Sequence, residues 1–330
     1  MILHKCGPIE QGPLEPADLP TPKPGVGEIL VRVKVCGVCR TDLHSVEGDL
    51  SVPKLPLIPG HQVVGIVEDR GPSANRFRAG DRVGMAWLYS ACGRCEFCRE
   101  GRENLCAEAK FSGYHTDGGY AQYVVVGEQF AYPIPEVFSD REAAPLLCAG
   151  IIGYRSLRLS EIKPGQRLGL YGFGGSAHVA IQVARHWGCQ VYVFSRAREH
   201  RALATSLGAV WTGMAQDELP QPLHSAIIFA PAGELVPEAL RNLRPGGTLA
   251  LAGVTMSTIP GMDYETYLFK ERTLRSVTAA TRQDGQELLD VATQIPIRTT
   301  TTPFPLDEAN TALTMLKKSR IAGTAVLEIP

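Results

Sequence analysis

Hydrophobic and polar positions change their period along this chain, and the change divides it. Near the N-terminus Ile29-Leu30-Val31-Arg32-Val33-Lys34-Val35 alternates, as a half-buried strand does. Similar short strands are expected at Val63–Val67, after the turn Gly80-Asp81, and at Tyr120–Val126 behind Asp117-Gly118-Gly119. The prolines between Pro13 and Pro24 mark an extended loop. Many short strands and turns over the first ~140 residues predict a small β-rich, barrel-like domain.

Residues 143–154 are apolar and small and read as a buried helix. From Lys163 the texture is α/β. A strand at 166–171 leads through the glycine-rich turn Gly172-Phe173-Gly174-Gly175-Ser176-Ala177-His178 into an amphipathic helix at 179–187, closed by Gly188. Strands follow at 190–194, 226–230 and 247–253, with a helix at 236–243. The C-terminal stretch predicts helices near 286–292 and 306–318 and a closing strand at 325–329.

The bulk properties narrow the class. At 330 residues the chain has room for two domains, and its 44% apolar and 20% charged residues are ordinary for a globular protein. A formal charge of -1 offers no attraction for nucleic acid or an anionic membrane. No apolar run approaches the ~18 residues of a membrane span, and the N-terminus lacks the form of a signal peptide. A reducing, cytoplasmic setting is therefore expected, and nine cysteines there argue for metal ligation over disulfides.

Four of those cysteines, Cys92, Cys95, Cys98 and Cys106, follow C-x2-C-x2-C-x7-C. Four thiolates this close can close a tetrahedron around one zinc ion, with no position left for a substrate. An iron–sulfur cluster uses the same donors, although Ala107 stands where ferredoxin-type runs carry proline. Unmetallated thiols are the third reading.

The glycine turn lies between a strand and a helix, the setting a dinucleotide fingerprint requires. Gly172, Gly174 and Gly175 would let backbone approach a pyrophosphate at a helix N-terminus. The acidic residue that would bind an adenosine ribose at the end of the next strand is missing. Ser195 and Arg196 stand there, a pair that suits a 2′-phosphate and so NADP(H) over NAD(H).

The segment Cys36-Gly37-Val38-Cys39-Arg40-Thr41-Asp42-Leu43-His44 packs two thiols, a guanidinium, a hydroxyl, a carboxylate and an imidazole just past a strand end. Taken alone it also reads as a surface turn. His61, after a Pro-Gly turn, reads alone as a half-buried structural histidine, and Cys148 reads alone as a core thiol.

In sequence order these elements resemble the zinc-dependent alcohol dehydrogenases of the medium-chain dehydrogenase/reductase superfamily, along essentially the whole chain. The motifs C-G-V-C-R-T-D-L-H, P-G-H, the four-cysteine loop, L-C-A-G-I and G-F-G-G carry the resemblance. It implies an α/β fold. A GroES-like β-rich catalytic domain (1–144 and 276–330) would accompany a doubly wound Rossmann domain (145–275), with the active site in the cleft between them.

The resemblance also implies two zinc ions per subunit. The catalytic one would be held by Cys39, His61 and Cys148, the structural one by Cys92, Cys95, Cys98 and Cys106. Asp42 would orient His61. Thr41 and His44 would move the alcohol proton, and Arg40 would meet the cofactor pyrophosphate. The implied reaction is reversible hydride transfer between a primary or secondary alcohol and NAD(P). The implied partners are a small alcohol or aldehyde and a second copy or three further copies of the chain.

Three departures from the family pattern stand out. Gln62 replaces the usual glutamate after the zinc-binding histidine. Ile321-Ala322-Gly323-Thr324 lacks the arginine of I-x-G-R, one pyrophosphate contact. Leu50 replaces the tryptophan that narrows ethanol-preferring pockets, while Trp87 is kept on another wall. This combination is expected to admit longer or aromatic substrates. A cinnamyl-alcohol-type or polyol dehydrogenase is the near alternative, and a non-catalytic zinc- and nucleotide-binding sensor the distant one.

Overall fold

The computed structural model describes residues 1–295, 297–321 and 323–330. The backbone separates into two compact units, Met1–Cys148 with Ala279–Pro330, and Ala149–Thr278. Cys148 is thus the last residue of the first unit's long segment, a few residues beyond the boundary expected from sequence.

The first unit opens its main sheet with β1 (Glu28–Gly37) and continues after α1 (Arg40–Glu47) with β2 (Gln62–Arg70), β3 (Arg82–Met85), β4 (Tyr123–Gly127) and β5 (Ala131–Pro133). β1 pairs antiparallel with β2 and with β4, β2 pairs with β3, and β3 with β5. Alternating Val31, Val33 and Val35 of β1 are buried, as the period predicted. The strand expected from Tyr120 begins only at Tyr123, because the Gly118–Tyr120 amides bond back to carbonyls of 58–60.

The second unit starts with α2 (Ala149–Leu159). β6 (Arg167–Tyr171), α3 (Gly175–His186), β7 (Gln190–Phe194), α4 (Arg198–Ser206), β8 (Trp211–Gly213), β9 (Leu223–Ile228), α5 (Leu235–Arg241), β10 (Leu243–Leu251) and β11 (Thr273–Ser276) follow. All its strand pairs are parallel, in the order β8-β7-β6-β9-β10-β11. Connections run outward on both sides of β6, so the order reverses at the β6/β9 boundary, the place where such sheets bind nucleotides.

The chain then rejoins the first unit through α6 (Arg282–Gln294), β12 (Thr301–Pro305), α7 (Ala309–Lys317) and β13 (Thr324–Glu328). β12 and β13 are parallel neighbours, and β13 extends the sheet beside β1. Leu313 of α7 and Leu327 of β13 are fully buried with Val31 and Leu43 in one core. Each such side chain contributes about 1.5–3 kcal/mol.

One expected element is broken. The apolar run from 143 is not a single helix: α-helix ends at Ala143, a 3-10 turn covers Ala144–Leu147, and Cys148 stands outside helical geometry (φ −132°, ψ −76°) before α2 begins. Pro145 lacks an amide hydrogen and cannot sustain helical bonding through this point. The break frees Cys148 from the helix surface.

Candidate metal centres and nucleotide turn

Cys39 ends the run that Gly37 releases from β1, and it caps α1. The Thr41 amide donates to Cys39 Sγ (3.5 Å), and the Cys39 amide donates to Asp42 Oδ2 (2.8 Å). Asp42 Oδ1 accepts from the Gly60 amide (3.2 Å) and lies 3.0 Å from His61 Nδ1. That bond holds a proton on Nδ1 and turns Nε2, the nitrogen a metal would take, toward Cys148. His61 Nε2 lies 3.3 Å from Cys148 Sγ, which is 3.7 Å from Cys39 Sγ.

The ligand atoms of Cys39, His61 and Cys148 all lie within 4.8 Å of one another. A tetrahedral ion with bonds of about 2.3 Å to sulfur needs an edge of about 3.8 Å. The observed sulfur spacing fits zinc, and the three donors found among the described residues leave a tetrahedron one position short.

The electrostatics of the three groups agree with a ligand set. The hydrogen bond from Cys148 holds the Cys39 thiol well below its ordinary range; burial opposes this and His61 adds to it. Burial disfavours the His61 cation, but the Asp42 carboxylate and Cys39 outweigh it and push His61 up to about 10. The bond to Cys39, together with burial, holds Cys148 as a thiol. A divalent cation would replace the protons on His61 and Cys148. Cys36 is fully buried nearby, raised by burial and then by Asp42, and stays outside the ligand cluster.

The second centre is local. Cys92, Cys95, Cys98 and Cys106 bring four sulfurs within 4.8 Å of one another, with Cys92 and Cys98 at 3.9 Å. The Cys95 amide donates to Cys92 Sγ (3.3 Å) and the Cys92 amide to Cys106 Sγ (3.5 Å). Backbone amides of Arg94 and Cys95 pull Cys92 down to about 6, which favours the thiolate.

Thr41 is buried, its Oγ1 3.7 Å from Cys39 Sγ. His44 Nδ1 lies 2.8 Å from Asp49, which leaves Nε2 without a protein partner among the described residues. Exposed Arg40 reaches the Ser319 hydroxyl (3.4 Å). Gln62 is 2% exposed, and its Oε1 finds no partner among the described residues. Leu50 is half-buried, in the loop after α1. Trp87 meets His61 edge-on (centroids 5.0 Å) and stacks on Phe111 (5.1 Å), with Tyr114 at 5.8 Å. Sequence reading missed Phe111 and Tyr114; the Tyr114 hydroxyl also binds the Ser51 carbonyl (2.9 Å), beside Leu50. Of the tetrapeptide at 321–324, Ala322 lies outside the described residues. Gly323 has φ +78° and presses on the Thr300 carbonyl, where no side chain fits.

In the second unit Gly172 turns the chain at φ +85°, against Ala230. Gly174 caps α3 with open space where a Cβ would stand, and Gly175 is the first helical residue. This leaves amides at a helix start with no side chains of their own and open space over Gly174, a place where a pyrophosphate could approach. Ser195 follows β7, and Arg196 is exposed. Arg201, unnoticed in the sequence, bonds the carbonyls of Ser195 (2.5 Å) and Arg196 (3.1 Å) and holds the loop.

A nucleotide-binding sheet and a Cys-Cys-His centre, carried by one chain beside a closed four-cysteine loop, belong to the zinc-binding dehydrogenases, a class of oxidoreductase. Residues 25–136 match the family model of the alcohol dehydrogenase GroES-like domain, and residues 175–294 that of the zinc-binding dehydrogenases. A probable alcohol dehydrogenase, AdhA, of Mycobacterium tuberculosis (strain CDC 1551 / Oshkosh) is 50% identical over 99% of this chain and 96% of its own. Among solved structures, a cinnamyl alcohol dehydrogenase of Sorghum bicolor superposes with TM-score 0.89 at 28% identity, over 98% of this chain and 96% of its own. A CAD from Helicobacter pylori complexed with NADP(H) superposes with TM-score 0.83 at 25% identity, over 92% and 91%. The chain belongs to the zinc-dependent alcohol dehydrogenase family of the medium-chain dehydrogenase/reductase superfamily. Among the described residues no helix is long and apolar enough to cross a membrane.

Proposed function

We propose that the chain is a zinc-dependent dehydrogenase, holding two zinc ions, that interconverts primary or secondary alcohols with aldehydes or ketones and prefers NADP(H). The observation that carries this reading is the convergence of Cys39, His61 and Cys148 at metal-ligand spacing. Zinc held there would supply Lewis-acid polarisation of the substrate oxygen. Around it the chain's own groups divide the work. Asp42 keeps the His61 ring in the tautomer that ligates. The Thr41 hydroxyl, beside Cys39, would accept the alcohol proton as it gives up its own, and His44, held through Nδ1 by Asp49, would take up a proton at Nε2 and release it to solvent.

The NADP(H) preference rests on Ser195 and exposed Arg196, and on the absence of a carboxylate at that strand end. Arg40 is the further cationic contact for the pyrophosphate. The aromatic wall of Trp87, Phe111 and Tyr114, with Leu50 in the neighbouring loop, supports longer or aromatic substrates. The solved relative named for cinnamyl alcohol favours the same range. A kinetic comparison of NADPH with NADH across aliphatic, benzylic and cinnamyl aldehydes tests both parts. Equal kcat/KM with the two cofactors removes the first, and a strong preference for acetaldehyde removes the second.

A further inference from the structure

Tyr120 presents an unresolved polar group in the heart of the first unit. The residue is 0% exposed, and its hydroxyl has no hydrogen-bond partner among the described residues. A buried donor left unpaired is costly, and native structures rarely keep one without use. The ring is not placed there by accident of packing. It lies flush on Gly60, where an added Cβ would stand 2.4 Å from Tyr120 Cδ1 and 2.9 Å from Cys36 Sγ. Gly60, at φ +100°, is the residue whose amide donates to Asp42. The Tyr120 amide in turn bonds the Pro59 carbonyl (3.0 Å), so ring and turn are locked together.

Asp42 has a matching vacancy. A carboxylate offers about four acceptor sites. Oδ1 is used by the Gly60 amide and His61 Nδ1, whereas among the described residues Oδ2 has only the Cys39 amide. Burial, followed by the charges of Asp42, Cys36 and Cys39, raises the phenol well above its usual range, so it stays a donor. Tyr120 and Asp42 are both buried against the Gly60 turn, with the phenol within range of the carboxylate's charge.

We propose that the Tyr120 hydroxyl is a positioning residue that donates to Asp42 and closes a Tyr120–Asp42–His61 chain behind the metal. The proposal rests on the reading of Cys39, His61 and Cys148 as a zinc site. Its effect is to fix the carboxylate that fixes the imidazole, and it acts on metal affinity before any turnover. Partners of this kind are typically worth about 10–100-fold in metal affinity.

The test is Tyr120→Phe, which keeps the ring and deletes one oxygen. Zinc affinity of the three-ligand site is measured by competition with a chromophoric chelator, alongside thermal unfolding and the visible spectrum of the cobalt-loaded protein. The expected result is roughly tenfold weaker binding at this site, an altered cobalt spectrum, and unchanged retention at the four-cysteine loop. Adding Asp42→Asn should make the Tyr120→Phe loss vanish, since the two act in series. An idle hydroxyl would instead give equal or higher thermal stability and wild-type affinity, and that result overturns the proposal. If Asp42→Asn weakens binding while Tyr120→Phe does not, the zinc reading stands and the proposal alone falls. If Cys148→Ser leaves metal content unchanged, the zinc reading itself falls.

Discussion

The two cysteine centres of the first unit are built on opposite plans. The loop centre draws four sulfurs from Cys92–Cys106, and its own amides hold them. The other draws on Cys39, His61 and Cys148, with ligands 87 and 109 residues apart in sequence, and no local turn can assemble it. It depends on three separate devices: the cap of α1, the Pro59-Gly60 turn and the helix break at Cys148. A local centre can staple a loop; a centre assembled by the whole sheet can hold a reactive ion in a fixed, buried frame. Local closure suits a structural role, and assembly from remote segments suits a chemical one.

The sharpest way to break that contrast is Cys148→Ser. Several kcal/mol of charge stabilisation disappear with the metal, so alcohol-oxidising kcat should fall by about 10³-fold or more. The thermal midpoint should move little, which a melting curve checks. Next in size is Cys95→Ser. It should lower stability by a few kcal/mol, at about 2–4 °C in Tm for each, while turnover per folded molecule persists. Unfolding curves and active-site-normalised rates decide it, and the reverse pattern in the two variants would exchange the roles of the centres.

Acid should also separate the centres. In the unloaded remote site His61 sits near 10 and Cys148 is raised by its bond to Cys39 and by burial. Both protons must leave when metal enters. Affinity there should therefore rise with pH across the neutral range, by up to on the order of tenfold per pH unit for each proton displaced. Chelator competition at two pH values measures the slope, and a flat response contradicts the assigned protonation. In the second unit, Arg196→Glu should lower the NADPH:NADH ratio of kcat/KM by roughly 10–100-fold, the value of a lost charge-assisted contact. Steady-state kinetics with both cofactors reads it.

How far each region could be read from sequence follows the same divide. Cysteine spacing exposed the loop centre, and the glycine turn exposed the nucleotide fold, because both are made within one stretch of chain. The remote centre was legible only through resemblance, since a lone His61 or Cys148 in an apolar stretch looks like core. The hydrophobic period even hid the helix break, because Ala143–Tyr154 is apolar on both sides of it. Phe111, Tyr114 and Tyr120 were invisible for a related reason. Their positions are set by loops closing on Trp87 and Gly60, contacts that no periodicity records.

Metal content measured together with turnover tests the central claim most directly. The account predicts two zinc ions per chain, one for each centre, in the native protein. It predicts that Cys148→Ser retains one and loses NADPH-linked aldehyde reduction. A folded Cys148→Ser protein that keeps both ions, or reduces aldehydes at the native rate, would contradict it.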